Sequence, residues 1–234
     1  MLGTKSSRAT ALRKVALFAD LSERELSFLA ERAVVRQFEA GEAVFSEGEP
    51  CEGLYVIASG AIKLFKTSSG GREQVLGVEG PGSTVAELPV FDDGDYPASA
   101  VALSQSSLLF VSKRNFQTLC LKHPEVALKV LKVVGLRLRK LVGIIEELSF
   151  TTVRHRLAVL LLRLAGRKGK STARGIELTL RASNQELAAH IGTVRELVSR
   201  NLSRLQAAGI IKLDGKKVLI PNLDALRREV KTTE

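Results

Sequence analysis

The sequence predicts an α+β fold in which a β-rich domain is followed by one long helix and then by a small domain of helices and strands. Three observations predict it. Short β-type runs alternate with glycine-containing turns in residues 36–110, an apolar heptad pattern follows in 127–148, and two short helices precede a hairpin in 183–220. With 234 residues, of which 45% are apolar, the chain is long enough for one or two domains with sizeable cores.

The N-terminal part combines a helical segment with many short strands. Residues 11–33 have a helical pattern, and Ser22 followed by Glu25 forms a capping box that starts a short helix. Ten of the 19 glycines fall between Gly41 and Gly94, where they separate predicted strands. These strands are Ala43–Phe45, Gly53–Ile57, Ala61–Phe65, Gln74–Val78, Ser99–Leu103 and Ser107–Val111. Strands this short and closely spaced are typical of a sandwich or barrel-like β-domain.

A long helix with one regular apolar seam is predicted after the β-domain. Its apolar residues alternate in steps of four and three over about three heptads. They are Ala127, Leu131, Val134, Leu138, Leu141, Ile145 and Leu148. Such a seam, on a helix long enough to project from its domain, favours dimerisation between two copies of the chain. The alternative is an amphipathic helix that packs only against its own domain.

The last part of the chain has the pattern of a winged helix-turn-helix. After a further helix come a polar, basic loop (RKGKSTARG) and a short strand. Ser183 with Glu186, and Thr193 with Glu196, form two predicted capping boxes that start two short helices. The segment IIKLDGKKVLI then reads as a hairpin with an Asp-Gly turn at 214–215. Two helices joined by a short turn and followed by a hairpin define this motif.

The positive charge of the chain is confined to this C-terminal part. Residues 1–148 contain 18 Lys/Arg and 18 Asp/Glu, whereas residues 149–234 contain 17 and 7. The whole net charge of +10 therefore lies after residue 148. A neutral domain joined to a basic one indicates that the basic domain binds a polyanion.

The second of the two short helices carries side chains that suit DNA bases. If it spans residues 194–206, then Arg195, Glu196, Ser199 and Arg200 lie opposite its apolar stripe, on its first two turns. In helix-turn-helix proteins these turns enter the major groove, where Arg pairs with guanine and Glu accepts from cytosine. The alternative is a solvated face with an ion pair between Glu196 and Arg200.

The order of these parts resembles the Crp/Fnr family of bacterial transcription regulators, over about residues 14–222. The stretch FEAGEAVFSEGEPCEGLYVIASGAIKLFK is similar to the family's β-roll motif, and QELAAHIGTVRELVSRNLSRLQAAGII is similar to its recognition region. The resemblance implies three regions. They are a cyclic-nucleotide-binding-like β-roll (a double-stranded β-helix, or jelly roll) in residues 1–122, a dimerisation helix and hinge in 123–150, and a winged helix-turn-helix in 151–234.

By this resemblance, the chain is a homodimer that binds double-stranded DNA at palindromic half-sites close to TGTGA or TTGAT. Val194 departs from the family pattern, because a hydroxyl residue is usual there, and it should remove one phosphate contact. The expected DNA-binding residues are Arg195, Glu196, Ser199, Arg200, Thr193, Ser183 and Gln185. The expected dimer interface consists of Leu131, Val134, Leu138, Leu141, Ile145 and Leu148. RNA polymerase is the expected protein partner.

The resemblance also places an effector pocket around AELPVFDDGDYPASA, residues 86–100. Members that bind cyclic AMP have Gly-Glu-Leu at its start and a phosphate-binding Arg further along. Here alanine replaces the glycine, and the Arg position is a proline. The two helix positions that would meet adenine are apolar. The candidate pocket residues are Ala86, Glu87, Leu88, Pro97, Ala98, Leu141 and Val142.

This stretch contains no cation to pair with a cyclic phosphate. Pro97 offers neither a charge nor an N–H, although a buried phosphate needs a paired cation or several N–H donors. Asp92, Asp93 and Asp95 would repel it further. We therefore expect cyclic AMP binding to be absent or very weak, unless a cation arrives from elsewhere in the fold. The effector is unknown: an apolar or organic-acid effector, or none, stays open.

Other cofactor chemistries find little support in the residue types. The iron–sulfur sensors of the family need four cysteines, and this chain has only Cys51 and Cys120, which we expect to be packed residues without a redox role. A haem effector would need an axial ligand, and His123, His155 and His190 all lie outside the predicted β-roll. A regulator that responds to a cyclic nucleotide or to haem is the alternative within the family, and a regulatory ligand-binding module is a more distant one.

No motif points to an enzyme or to a membrane protein. The sequence has no P-loop, GxSxG, HExxH or metal-ligand cluster, so neither catalytic residues nor a metal site is expected. No apolar run is long enough for a signal peptide or a spanning helix, which predicts a cytoplasmic protein with no membrane partner.

Overall fold

The computed structural model describes residues 2–180 and 182–231, which form two compact units. One unit holds the residues up to 66 together with 76–141, and the other holds 67–75 together with the residues from 142 onward. The division falls between Leu141 and Val142, inside the long helix. The domain boundaries predicted at 122/123 and 150/151 stay predictions.

The first unit is the predicted β-roll, flanked by helices. The elements are α1 (Lys5–Arg13), α2 (Glu23–Arg32), β1 (Val34–Phe38), β2 (Ala43–Phe45), β3 (Gly53–Ser59), β4 (Ile62–Thr67), β5 (Glu73–Glu79), β6 (Thr84–Val85), α3 (Pro89–Asp92), β7 (Ser99–Ala102), β8 (Ser106–Ser112) and α4 (Lys113–Lys122), followed by the long helix α5 (Pro124–Phe150). The strands form two four-stranded sheets, of order β1-β8-β3-β6 and β2-β7-β4-β5.

Alternation of side chains along β3 produces two cores, one on each face. Tyr55 and Ile57 face a core between the two sheets, whereas Leu54 and Val56 face a core shared with α1, α2, α4 and α5. Because both faces are covered, residues 53–57 are all buried, which explains their continuous apolar sequence. The helices therefore cover one sheet, and the other sheet completes the roll.

The helical prediction for residues 11–33 is partly wrong. The chain leaves the helix after Arg13 and forms a turn in which Leu17 and Phe18 are buried, so apolar packing rather than helical periodicity explains these residues. The capping box of Ser22 and Glu25 is confirmed: Ser22 N donates to Glu25 Oε2 at 2.7 Å, and Glu25 N donates to Ser22 Oγ at 3.4 Å. Strands β1 and β6 were not predicted from the sequence.

Helix α5 is a single helix of 27 residues. Val126 and Val130 are buried in the helix-covered core of the first unit, while much of the apolar surface further along is exposed. Among the described helices, none combines the length and the apolar content needed to cross a membrane.

The second unit contains the predicted winged helix-turn-helix. Its elements are α6 (Val153–Lys168), β9 (Lys170–Thr172), β10 (Gly175–Thr179), α7 (Asn184–Ile191), α8 (Arg195–Ala207), β11 (Lys212–Asp214), β12 (Lys217–Ile220) and α9 (Leu223–Lys231). The strands form one antiparallel sheet of order β11-β12-β10-β9. Its inner face packs on one core with α6, α7, α8 and α9.

Two local predictions in this unit need correction. The segment RKGKSTARG is not only a loop, because Lys170 pairs with Glu177 and the turn is closed by a hydrogen bond from Thr172 Oγ1 to the Gly175 carbonyl, at 2.9 Å. The wing hairpin is present, but Asp214 pairs with Lys217 across it. The residues inside the turn are therefore 215 and 216, and the glycine at 215 supplies a φ of +56°.

Candidate DNA-reading surface and effector pocket

Helix α7 and the turn after it fix where α8 begins. Ser183 Oγ accepts from Glu186 N at 3.2 Å, and Ser183 N donates to Glu186 Oε2 at 2.6 Å, so the predicted capping box is confirmed. At the other end, Gly192 has a φ of +64° and terminates α7 in the left-handed conformation that favours glycine. The Thr193 N–H then donates back to the Ala188 carbonyl at 3.0 Å. This tight turn places α8 directly after α7.

The second predicted capping box is wrong. Val194, not Thr193, is the N-cap residue of α8, and no side chain caps the helix there. Thr193 lies one residue before the N-cap position, and valine has no side-chain acceptor for the first N–H groups of the helix. The carboxylate of Glu196 is therefore not occupied by helix capping, which removes one structural explanation for its presence.

The predicted reading residues lie on the solvent side of α8. Val198, Leu202 and Leu205 are buried in the core of this unit, while the four side chains on the opposite side of the first two turns are exposed. These four are Arg195, Glu196, Ser199 and Arg200. Within residues 2–180 and 182–231, none of the four makes a side-chain hydrogen bond or an ion pair. The predicted alternative of a Glu196–Arg200 ion pair is absent from this part of the chain. Ser183 and Gln185, at the start of α7, are also exposed.

A second basic surface lies on the outer face of the wing sheet and was not predicted. Strand alternation turns Ile176 and Leu178 toward the core and leaves Glu177 and Thr179 on the outer side. The outer side forms a concave surface of about 790 Å³. Its charged residues are Lys168, Lys170, Arg174, Lys212 and Lys217, with Glu177 and Asp214. The sequence shows an excess of Lys and Arg in the two hairpins. Only the register of the paired strands shows that these residues share one face of the sheet.

Helix α5 exposes one apolar stripe along most of its length. Leu131 and Ile145, from the predicted seam, are 65% and 62% exposed. Val134 instead packs against the core of the first unit, so the predicted seam is divided between two faces. The stripe consists of the exposed residues Leu128, Leu131, Leu138, Val142 and Ile145 and the half-buried Gly135, at heptad spacing. A Cβ at Gly135 would meet no atom, which leaves room for close approach of another helix.

The candidate pocket is a cavity of about 260 Å³ between the β-roll and α5, within the first unit. All but one of the predicted pocket residues line it, the exception being Val142. The residues that do so are Ala86, Glu87, Leu88, Pro97, Ala98 and Leu141. Ala86 has a φ of +69°, so an alanine holds the left-handed conformation for which glycine is usual, at a cost of about 1–2 kcal/mol.

A cation that the linear motif does not contain reaches this pocket from α5. Arg137 donates to Glu87 Oε2 and to the Thr84 carbonyl, and the Glu87 side chain is only 1% exposed. The stretch itself supplies no cation, and the one bound to Glu87 arrives from elsewhere in the fold, a case that the sequence left open. Sequence reasoning missed Arg137 because the two residues are 50 positions apart, and only the packing of α5 on the roll brings them together.

Both parts of the chain are similar to known proteins. Residues 35–123 match the model of the cyclic nucleotide-binding domain, and residues 155–229 match that of the Crp-like helix-turn-helix domain. The CRP-like cAMP-activated global transcriptional regulator of Mycobacterium tuberculosis (strain ATCC 25618 / H37Rv) is 30% identical, over 94% of this chain and 98% of its own.

The chain belongs to the Crp/Fnr family of transcription regulators.

Other Crp/Fnr proteins resemble the chain over a similar extent. The cyclic AMP receptor protein of Thermus thermophilus is 33% identical, over 84% of this chain and 88% of its own. Among solved structures, the c-di-GMP responsive global regulator CLP of Xanthomonas campestris is 26% identical, covers 86% of this chain and 100% of its own, and has a TM-score of 0.73. The similarity thus includes the roll, the long helix and the DNA-binding unit.

In this Crp/Fnr chain, one buried arginine joins the end of α5 to the helix-turn-helix. Arg156, on α6, donates to the carbonyls of Ile191 at 2.7 Å, Thr151 at 2.6 Å and Glu147 at 3.2 Å. Burial lowers the pKa of its guanidinium. Next to it, a Cβ on Gly192 would lie 2.3 Å from Leu148 Cδ2, so the same end of α5 also packs closely on α7.

Replacing Arg156 by methionine should destabilise the second unit by about 2 kcal/mol, because the Ile191 and Thr151 carbonyls would lose charged donors while the side chain stays buried. The Glu147 carbonyl should be affected less by the substitution, because it also accepts a hydrogen bond from Thr151 N. Thermal or urea unfolding of the whole chain measures the effect. Arg163→Met, at an exposed position on the same helix, is the matched control. Equal stability of the two variants would contradict this role.

The cysteines of this Crp/Fnr chain have the surroundings of packed residues. Cys120 is buried, and burial raises the pKa of its thiol to about 11. Burial also raises the pKa of Cys51, whose Sγ donates to the Gly53 carbonyl at 3.5 Å. A thiol with a raised pKa has little thiolate at neutral pH. Among the described residues, no group of His, Cys, Asp or Glu is placed to hold a metal ion.

Proposed function

We propose that the protein is a homodimeric transcription regulator that binds a palindromic DNA site of the TGTGA or TTGAT type and does not respond to cyclic AMP. The observation that carries this proposal is the exposed face of α8. Arg195, Glu196 and Arg200 have no partner within the described residues and project from the two turns that enter the major groove. These side chain types pair with guanine and cytosine edges.

Local energetics support a reading role for Arg195. It occupies the first position of α8, where the positive end of the helix dipole disfavours a cation. Among the described residues, it neither caps the helix nor forms an ion pair. Its position is therefore better explained by an external partner with negative charge and acceptor atoms, as DNA has.

The apolar stripe of α5 supports a homodimer. Six residues at heptad spacing would otherwise leave a continuous apolar surface in water. Pairing the stripe with its copy buries it and gives two recognition helices related by a two-fold axis. Such a dimer reads two half-sites about 34 Å apart along one face of the duplex, which explains why a palindrome is expected. RNA polymerase is the proposed protein partner at the promoter.

The residues of the pocket argue against cyclic AMP, although the names of two relatives point toward it. Pro97 stands where a phosphate-binding Arg is expected, and it cannot donate. Two cations of α5 line the pocket. Arg137 is already bound to Glu87 and the Thr84 carbonyl, and Lys140 is exposed to water. To pair with Arg137, a cyclic phosphate would have to break the Arg137–Glu87 ion pair. One ion pair would replace another, so the number of ion pairs would not increase.

Fluorescence anisotropy of a labelled TGTGA-N6-TCACA duplex tests this part of the proposal. At one fixed salt concentration, the affinity should change less than twofold when millimolar cyclic AMP is added, because Pro97 replaces the phosphate-binding Arg and Glu87 already holds Arg137. If selection from random-sequence DNA yields a different binding site, the labelled duplex carries that site instead. Binding that requires cyclic AMP would contradict the proposal and would show that Arg137 or Lys140 serves the phosphate.

A further inference from the structure

The cavity between the roll and α5 has walls that are mainly hydrocarbon. It lies in the position where the proposed function puts an effector, and the inference rests on that function. Polar atoms contribute little of its surface. The apolar side chains around it come from β2, β4, β5, the segment before β7 and α5, and six of them are Phe45, Leu64, Leu76, Ala98, Leu138 and Leu141. A site of this composition rewards burial of apolar ligand surface.

The charged residues at the cavity balance each other. Glu87 is paired with Arg137. The other two are Glu79 and Lys140, whose Oε1 and Nζ lie 3.4 and 2.8 Å from the point where a Cβ of Gly77 would stand. The absence of that Cβ makes room for the lysine tip. Two acidic and two basic residues leave no excess charge for an ionic ligand to neutralise.

A buried oxygen acts against an anion in particular. Glu87 Oε1 is buried and accepts no hydrogen bond within the described residues. An anion in the cavity would be repelled by this carboxylate oxygen, whose burial weakens screening by solvent. A cation would in turn be repelled by Arg137 and Lys140. A charged ligand of either sign would therefore lose its hydration without gaining a favourable ion pair in the cavity.

We propose that this cavity binds a compact, uncharged and predominantly apolar molecule. The volume of about 260 Å³ sets its size, just below the usual range for small-molecule sites. Apolar contact with Leu64, Leu76 and Leu141 supplies the affinity. The balanced charges of the lining and the buried Glu87 carboxylate select against carboxylates and phosphates.

A matched pair of fluorophores tests the charge preference on the full chain. N-phenyl-1-naphthylamine is uncharged, and 1-anilinonaphthalene-8-sulfonate is nearly the same molecule with an added anion. The uncharged probe should bind saturably, with one site per chain and at least 10-fold more tightly than the sulfonate. Equal or tighter binding of the sulfonate at the same site would overturn the proposal.

Filling the cavity tests the location. Ala98 is buried and lines the cavity, so Ala98→Leu should weaken binding of the uncharged probe at least 10-fold. Ala98→Val, with fewer added atoms, should give a smaller loss and serves if the Leu variant melts early. Ala173→Leu, at an exposed turn, is the control and should bind normally. Probe affinity that survives both Ala98 variants would place the probe on the exposed stripe of α5 and overturn the proposal.

The same variants separate this inference from the proposed function. DNA binding is measured independently by anisotropy, and it depends on α8 rather than on the cavity. If the uncharged probe fails to bind while wild-type DNA binding remains sequence-specific, the inference about the cavity is wrong and the regulator function stands. If specific DNA binding is absent, the proposed function itself fails.

Discussion

Replacing Arg195 by alanine should weaken binding to the palindromic duplex about 30-fold or more. Each bidentate Arg–guanine pair discriminates by about 1–3 kcal/mol, and a dimer on a palindrome would lose two of them. The stability of the fold should not fall, because Arg195 has no partner among the described residues and opposes the dipole of α8. Anisotropy titrations at one fixed salt concentration, with melting temperatures of both proteins, measure the two quantities.

The control for this prediction removes the same charge elsewhere. Arg163 is exposed on α6, outside the reading helix, so Arg163→Ala lowers the net charge by the same amount. It should reduce binding to all sequences slightly, as the loss of one positive charge does. If Arg163→Ala and Arg195→Ala have the same effect on the palindrome and on an unrelated duplex, α8 does not read bases through Arg195.

Replacing Leu131 by glutamate should dissociate the dimer, with an increase in the dimer dissociation constant of about 100-fold or more. Leu131 is 65% exposed in the single chain and contributes no lining to the cavity, so the monomer should still fold. In a dimer it would place a carboxylate in an apolar seam, where a charge without a partner is costly. Sedimentation equilibrium or light scattering measures the change, and affinity for the palindrome should fall with it.

Leu121→Glu is the matched control for the seam. Leu121 is 85% exposed at the end of α4 and lies outside the α5 stripe. This variant should remain dimeric and bind the palindrome normally. A Leu131→Glu protein that stays dimeric at micromolar concentration would show that the stripe is covered by something other than its copy.

Local chemistry made several elements predictable. Ser22 with Glu25, and Ser183 with Glu186, formed their capping boxes because each pair is three residues apart and needs no other part of the chain. Short runs such as Ala43–Phe45 were bounded by glycine or charged residues and became strands. The same motif failed at Thr193, because that residue belongs to the preceding turn and the N-cap position falls on Val194, one residue later.

What could not be predicted depends on distant packing. The Arg137–Glu87 pair joins residues 50 positions apart, and no spacing rule selects one arginine of α5 over another. The basic surface of the wing sheet required the strand register of β9 to β12. On α5, the heptad pattern selected Leu131 and Ile145, which are exposed, together with Val134, which the parent domain covers, and only the structure shows which row remains free.

Selection of bound duplexes from a random-sequence pool tests the central proposal most directly. With the wild-type chain at a stated salt concentration and without any added nucleotide, the enriched sequences should contain two inverted half-sites of the TGTGA or TTGAT type, with centres about one helical turn apart. Arg195→Ala should lose the guanine preference within each half-site. Enrichment of a direct repeat or a single half-site, or of no sequence until cyclic AMP is added, would contradict the account.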